Sequence, residues 1–108
     1  SFDPRVVAYW HTLKTGVPVG IVGMGEYAHH EYDACTSAEK HAMANLLHMG
    51  ETRPDFLSWR VADLNSAVPY LWRKGMGKPL MSWTVRTPEN IAMAQAHADQ
   101  MVFEGFIP

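Results

Sequence analysis

The residues best equipped for chemistry crowd into Glu26–Cys35, EYAHHEYDAC, where His29 and His30 stand beside Glu31, Asp33 and Cys35. Such a set suggests a metal-binding or pH-sensitive loop. Histidines that share a metal from one helix are usually spaced His-x₃-His, so that both imidazoles lie on one face, whereas neighbours on an extended backbone diverge. A solvated loop is therefore the expectation for this stretch. His41 and His48 are seven residues apart on one expected helix, nearly two turns, and too distant to hold one ion. Cys35 belongs to no Cys/His/Asn pattern and is not expected to be a nucleophile. Arg86 has the planar fork that meets phosphate in a bidentate way, but its place just before a helix start fits an exposed loop equally well.

Positioning such groups falls to the elements, and the clearest is Pro79–Pro88, PLMSWTVRTP. Leu80, Ser82 and Thr84 alternate with Met81, Trp83 and Val85, the period of a strand packed on both faces. Thr87-Pro88 then supplies a helix cap and first-turn proline. A helix through Glu89–Asp99 and an apolar run Met101–Phe103 complete a strand–helix–strand unit. Upstream, Asp3-Pro4 is a cap pair for a helix over about Pro4–Lys14 that Gly16 ends. Val17–Val22, VPVGIV, suits a buried parallel strand. Thr36-Ser37-Ala38-Glu39 has the spacing of a capping box, predicting a helix to about Met49 with Gly50 as its C-cap. Asp55–Val61 alternates as a strand, and Asp63–Ser66 leads to a short helix carrying Val68, Leu71 and Trp72. The order helix, strand repeats four times, which predicts an α/β fold with a parallel sheet.

Bulk properties agree with one packed unit. The chain has 108 residues, 47% hydrophobic and 19% charged, and a net charge of −2, so neither disorder nor a field that recruits nucleic acid is expected. A single cysteine excludes an internal disulfide. No apolar stretch approaches the roughly 20 residues that span a bilayer. The chain opens on Ser1-Phe2 without an initiator methionine, and an earlier segment is expected.

Three anchors in order resemble the C-terminal half of the glycerophosphodiester phosphodiesterase domain. Ser1-Phe2-Asp3-Pro4 is similar to a strand end followed by an Asp- or Pro-started helix, and Trp83-Thr84-Val85-Arg86 to a later W-T-V strand. Ala98-Asp99 through Glu104-Gly105 resembles the last strand, which follows an Ala-Asp or Val-Asp and ends near an acidic residue. Units of about 27 residues fit the roughly 30 expected in a (β/α)₈ barrel of about 250 residues, so four are half of one. The fold expected is thus the C-terminal half of a (β/α)₈ TIM-type barrel with parallel strands, residues 1–108 forming a single partial domain.

The resemblance implies that the parent protein is a metal-dependent hydrolase that splits glycerophosphodiesters into an alcohol and glycerol 3-phosphate with Mg²⁺ or Ca²⁺. The family's His-Arg-Gly, Glu-x-Asp, His-Asp and Glu-x-Lys residues precede its Ser-Phe, so no catalytic or metal-binding residue is carried onto this chain. Glu31-Tyr32-Asp33 spells Glu-x-Asp, but Ala28-His29-His30 stands where an apolar strand should, and it is taken as loop. Barrel sites lie at the C-terminal strand ends, here Phe2, Met24, Val61–Asp63, Trp83–Arg86 and Glu104. Phe2, Trp83 and Glu104 are the substrate-facing candidates, the two aromatics as apolar surfaces against the glycerol or leaving-group side. The chain alone is expected to be inactive. Lacking neighbours for its outer strands, it is expected to form a homo-oligomer or to associate with an N-terminal half. The alternative is a non-catalytic interaction or regulatory module derived from the same barrel, and a weaker one is an open-sheet binding domain unrelated to the family. The compartment is open, with the cytoplasm slightly favoured.

Overall fold

A computed structural model describes all residues, Ser1–Pro108. The elements in order are α1 (Pro4–Thr12), β1 (Gly20–Gly23), α2 (Ser37–Ala44), α3 (Met49–Thr52), β2 (Phe56–Arg60), α4 (Ala67–Tyr70), β3 (Leu80–Val85), α5 (Pro88–His97) and β4 (Gln100–Phe103). A π-helical turn, Leu71–Gly75, extends α4.

Three helix starts follow from side chains that satisfy free backbone N–H groups. Asp3 accepts from Arg5 N ahead of Pro4, and Thr87 accepts from Asn90 N ahead of Pro88. Thr36 and Glu39 form the reciprocal capping box. The expected long helix to Met49 with Gly50 as C-cap is corrected: α2 stops at Ala44, Leu46 adopts a positive φ of 54°, and Gly50 lies inside the separate short helix α3. Leu46 is buried in the core, so its packing holds the break. The first strand also starts later than expected, with Val17–Val19 lying outside it, and runs on to Gly23.

The four strands form one parallel sheet in the order β1-β2-β3-β4. No reversal of order occurs, so successive strands are always neighbours. The register places Ile21 beside Leu57 and Leu57 beside Leu80, then Gly23 beside Trp59, Trp59 beside Ser82 and Ser82 beside Met101. Side chains at alternate strand positions share a face. Ile21, Leu57, Trp59 and Leu80 therefore lie on one face, where they form a core with Val7 of α1, Leu46, Leu64, Trp72 and Ala98. A second cluster joins Val61 and Val85 to Ala94 of α5.

The alternation expected along Leu80–Val85 does not run to its end. Between Ser82 and Val85 the pairing with β4 shifts by one residue, Ser82 matching Met101 and Val85 matching Phe103, and the Trp83–Thr84 peptide in this bulge is cis. The extra residue turns Val85 onto the helix side, where it is fully buried with Leu80 and Ser82.

The opposite sheet face carries Val22, Phe56, Ser58, Arg60, Met81, Trp83 and Val102. None of these belongs to either helix-packed cluster. All but Ser58 retain solvent exposure. The chain thus covers one face of its sheet with its own helices and leaves the other largely open.

Candidate functional site

The C-terminal strand ends and the open face meet at Trp83. The Phe2 ring stacks edge-on against the Trp83 ring, with centroids 5.5 Å apart and planes at 82°. Such a T-shaped pair sets the positive edge of one ring toward the negative face of the other. Trp83 Nε1 donates to the Ser58 carbonyl of β2 at 3.0 Å, fixing the indole across two strands. Phe2 is held in turn by Ser1, whose N–H group donates to Gly20 O (3.1 Å) and whose carbonyl accepts from Val22 N (2.8 Å). Those two bonds flank Ile21 in the manner of a parallel strand neighbour. The aromatic pair is therefore anchored at Trp83 by its indole donor and at Phe2 through the main chain of its neighbour Ser1.

Beside this pair lies a polar clamp that sequence reasoning did not single out. Arg60 is the register partner of Trp83. Its Nε and Nη2 donate to the two Asp63 carboxylate oxygens at 2.9 and 3.1 Å. The Asp63 Oδ2 also accepts from Gly25 N at 2.9 Å, tying the loop after β1 to the exit of β2. A Cβ on Gly25 would stand 3.3 Å from Asp63 Cβ and Cγ, so the close approach uses the missing side chain. The signal available in the sequence was an Arg and an Asp three residues apart where an apolar strand ends.

Glu104 is placed differently from Phe2 and Trp83. It forms an exposed ion pair with Arg86, at 2.7 Å to Nη2 and 2.9 Å to Nε, and its N–H donates to Val85 O. Arg86 N in turn donates to the Asn90 side chain at 3.2 Å. Of the three candidates, the structure joins Phe2 to Trp83 and pairs Glu104 with Arg86 at the edge strand.

The histidine-rich stretch forms a compact turn. His30–Tyr32 is a 3₁₀ turn capped by His29, whose Nδ1 accepts from Glu31 N, and the His29 and His30 rings lie side by side with centroids 4.0 Å apart. The expectation that adjacent histidines point apart assumed an extended backbone; the helical turn that starts at His30 brings the rings together. Tyr27 packs edge-on against Tyr32 at 4.9 Å, and burial pushes its hydroxyl up to about 12. His41 and His48 stand on separate elements, His41 near Asn45 and His48 bonded to Thr52 Oγ1 at 3.0 Å. No group of three or more His, Cys, Asp or Glu residues in the chain is arranged to hold a metal ion. No helix is long and apolar enough to cross a membrane.

What this strand-end arrangement offers chemically is an apolar wall of two crossed rings next to a guanidinium paired through Nε and Nη2 with the Asp63 carboxylate. No family description, curated protein or solved structure matches the chain.

Proposed function

We propose that the chain is the C-terminal half of a (β/α)₈ barrel in a metal-dependent glycerophosphodiester phosphodiesterase. The observation that carries this reading is the layout of the sheet. Four parallel strands follow one another in sequential order, with helical packing on one face and the other face left open. A barrel wall has that layout, because helices ring the outside while the inner face meets side chains from strands across the barrel. An open doubly wound sheet reverses its strand order and carries helices on both faces.

In this reading the Trp83–Phe2 wall lines the pocket mouth and accepts the glycerol or alcohol portion of the diester by shape and apolar contact. Arg60, held by Asp63 through Nε and Nη2, keeps Nη1 to donate to a phosphoryl oxygen on the same face. Glu104 and Arg86 close the far side. The Mg²⁺ or Ca²⁺ of such an enzyme would neutralise phosphoryl charge, and its ligands would come from outside these residues. The chain's own part is to bind and orient.

The parent protein, assayed on glycerophosphocholine with Mg²⁺ or Ca²⁺, should release glycerol 3-phosphate. Trp83→Ala should raise KM about tenfold with a smaller change in kcat, the pattern of lost uniform binding. Absence of hydrolysis with either cation, or a Trp83→Ala enzyme with unchanged KM, would sink the proposal.

A further inference from the structure

A second charged feature lies at the N-terminal ends of β3 and β4, away from Trp83. An open depression of about 450 Å³ is lined by Arg73, Lys74, Gly77, Lys78, Pro79 and Asp99. Three cations thus stand with a single carboxylate in a chain whose net charge is −2, and only Arg73 pairs with it. The carboxylate is already committed on both oxygens: Asp99 Oδ1 accepts from Arg73 Nε and Oδ2 from Leu80 N, each at 2.9 Å. That leaves the terminal nitrogens of Arg73 without a protein acceptor, and neither Lys74 nor Lys78 has a carboxylate partner. The Lys78 ammonium is held 5.0 Å above the centre of the Trp72 ring, which limits its wandering. Gly77, with φ at 65°, turns the chain between the two lysines, and its N–H donates to no protein acceptor.

The geometry points to a binding site for a phosphate group in this depression. A tetrahedral dianion suits one guanidinium fork and two ammonium point charges, each of which can donate to a different oxygen. Pro79 is the one apolar side chain in the lining, and no aromatic ring lines the depression as a platform for a base. The group recognised is the phosphate itself, whether carried by a small soluble ester or by a lipid head group. The site is independent of the proposed phosphodiesterase reading, since it stands at the opposite ends of the strands.

The test is a residue-resolved NMR titration of the full chain with inorganic phosphate and pyrophosphate, against sodium chloride at matched ionic strength. Saturable shifts should centre on Arg73–Leu80 and Asp99. Lys74→Ala with Lys78→Ala should weaken binding about tenfold or more, in keeping with loss of charge-assisted hydrogen bonds. Lys40→Ala, on α2, should leave affinity unchanged. Lys74→Glu is the second variant, because Lys74 is exposed and its replacement disturbs no packing. Flotation with phosphatidylcholine vesicles, with and without phosphatidic acid, separates the sources. Binding of the soluble phosphates supports a site for free phosphate groups, and lysine-dependent binding only to phosphatidic acid vesicles supports a head-group site. Shifts equal to those of chloride without lysine-dependent vesicle binding, shifts centred on Trp83 and Arg86, or undiminished affinity in both lysine variants would overturn the inference.

Discussion

The two faces of the sheet are built from similar residues and treated in opposite ways. On the covered face Leu57, Trp59 and Leu80 are at most 1% exposed, locked under Val7, Leu46 and Trp72. On the other, Val22, Phe56, Met81 and Trp83 are only half-buried, although they sit in the same strands one residue away. Apolarity alone therefore does not decide which face is sealed. The connecting helices decide, because each crossover between neighbouring parallel strands returns over the same face. The open face keeps its aromatic and polar groups accessible, which is the condition for a site.

Truncation should expose the difference most strongly. Leu57→Ala should cost about 3 kcal/mol by leaving a cavity in rigid surroundings, while Met81→Ala should cost about 1 kcal/mol because that face can relax toward solvent. Urea denaturation midpoints of the two variants compare them directly, and equal losses would show that the open face is sealed after all.

Insertion offers a sharper contrast, since two glycines face aromatic rings on opposite sides. A Cβ on Gly23 would meet the fully buried Trp59 ring at 2.5 Å, and one on Gly20 would meet the Phe56 ring. Gly23→Ala should destabilise by about 2 kcal/mol, whereas Gly20→Ala should cost less than about 1 kcal/mol because the half-exposed Phe56 can swing aside. Thermal melts of the pair would reverse this ranking only if Phe56 were the more rigid ring.

Trp83→Phe keeps an apolar ring against Phe2 but removes the indole donor to Ser58. About 1 kcal/mol of stability should go with that hydrogen bond. A denaturation curve identical to the parent's would mean the bond contributes nothing to holding the open face.

The smallest effect belongs to the covered side of the molecule. Burial pushes the His48 imidazole below its ordinary 6.5. In the window below pH 6.5 the unfolded chain takes up its proton before the folded one does, so stability is highest above that value and falls as pH drops through it. Replacing His48 with Gln should flatten the slope of melting temperature against pH just below 6.5. A slope unchanged by the replacement would assign it to other groups.

The local rules were legible where one short stretch contains both partners. Asp3 with Pro4, Thr36 with Glu39, and Thr87 with Pro88 each carry cap and first turn together, and the structure forms all three. Gly50 misled because a glycine near an expected helix end is ambiguous until packing is known; burial of Leu46 ended the helix earlier. Arg60 and Asp63 were overlooked as a pair because their importance comes from Gly25 and Trp83, 38 residues upstream of Asp63 in one case and across a strand in the other.

By itself the sequence determined the alternation of helices and strands, the caps that start the helices, and the parallel α/β class, since these depend on neighbours within a few positions. Tertiary structure alone decided the sequential strand order, the bulge that turns Val85 inward, the stack of Phe2 on Trp83 and the gathering of Arg73, Lys74 and Lys78 around Asp99. Each of these joins residues far apart in the chain or depends on the register of another strand, and no local pattern encodes such a distance.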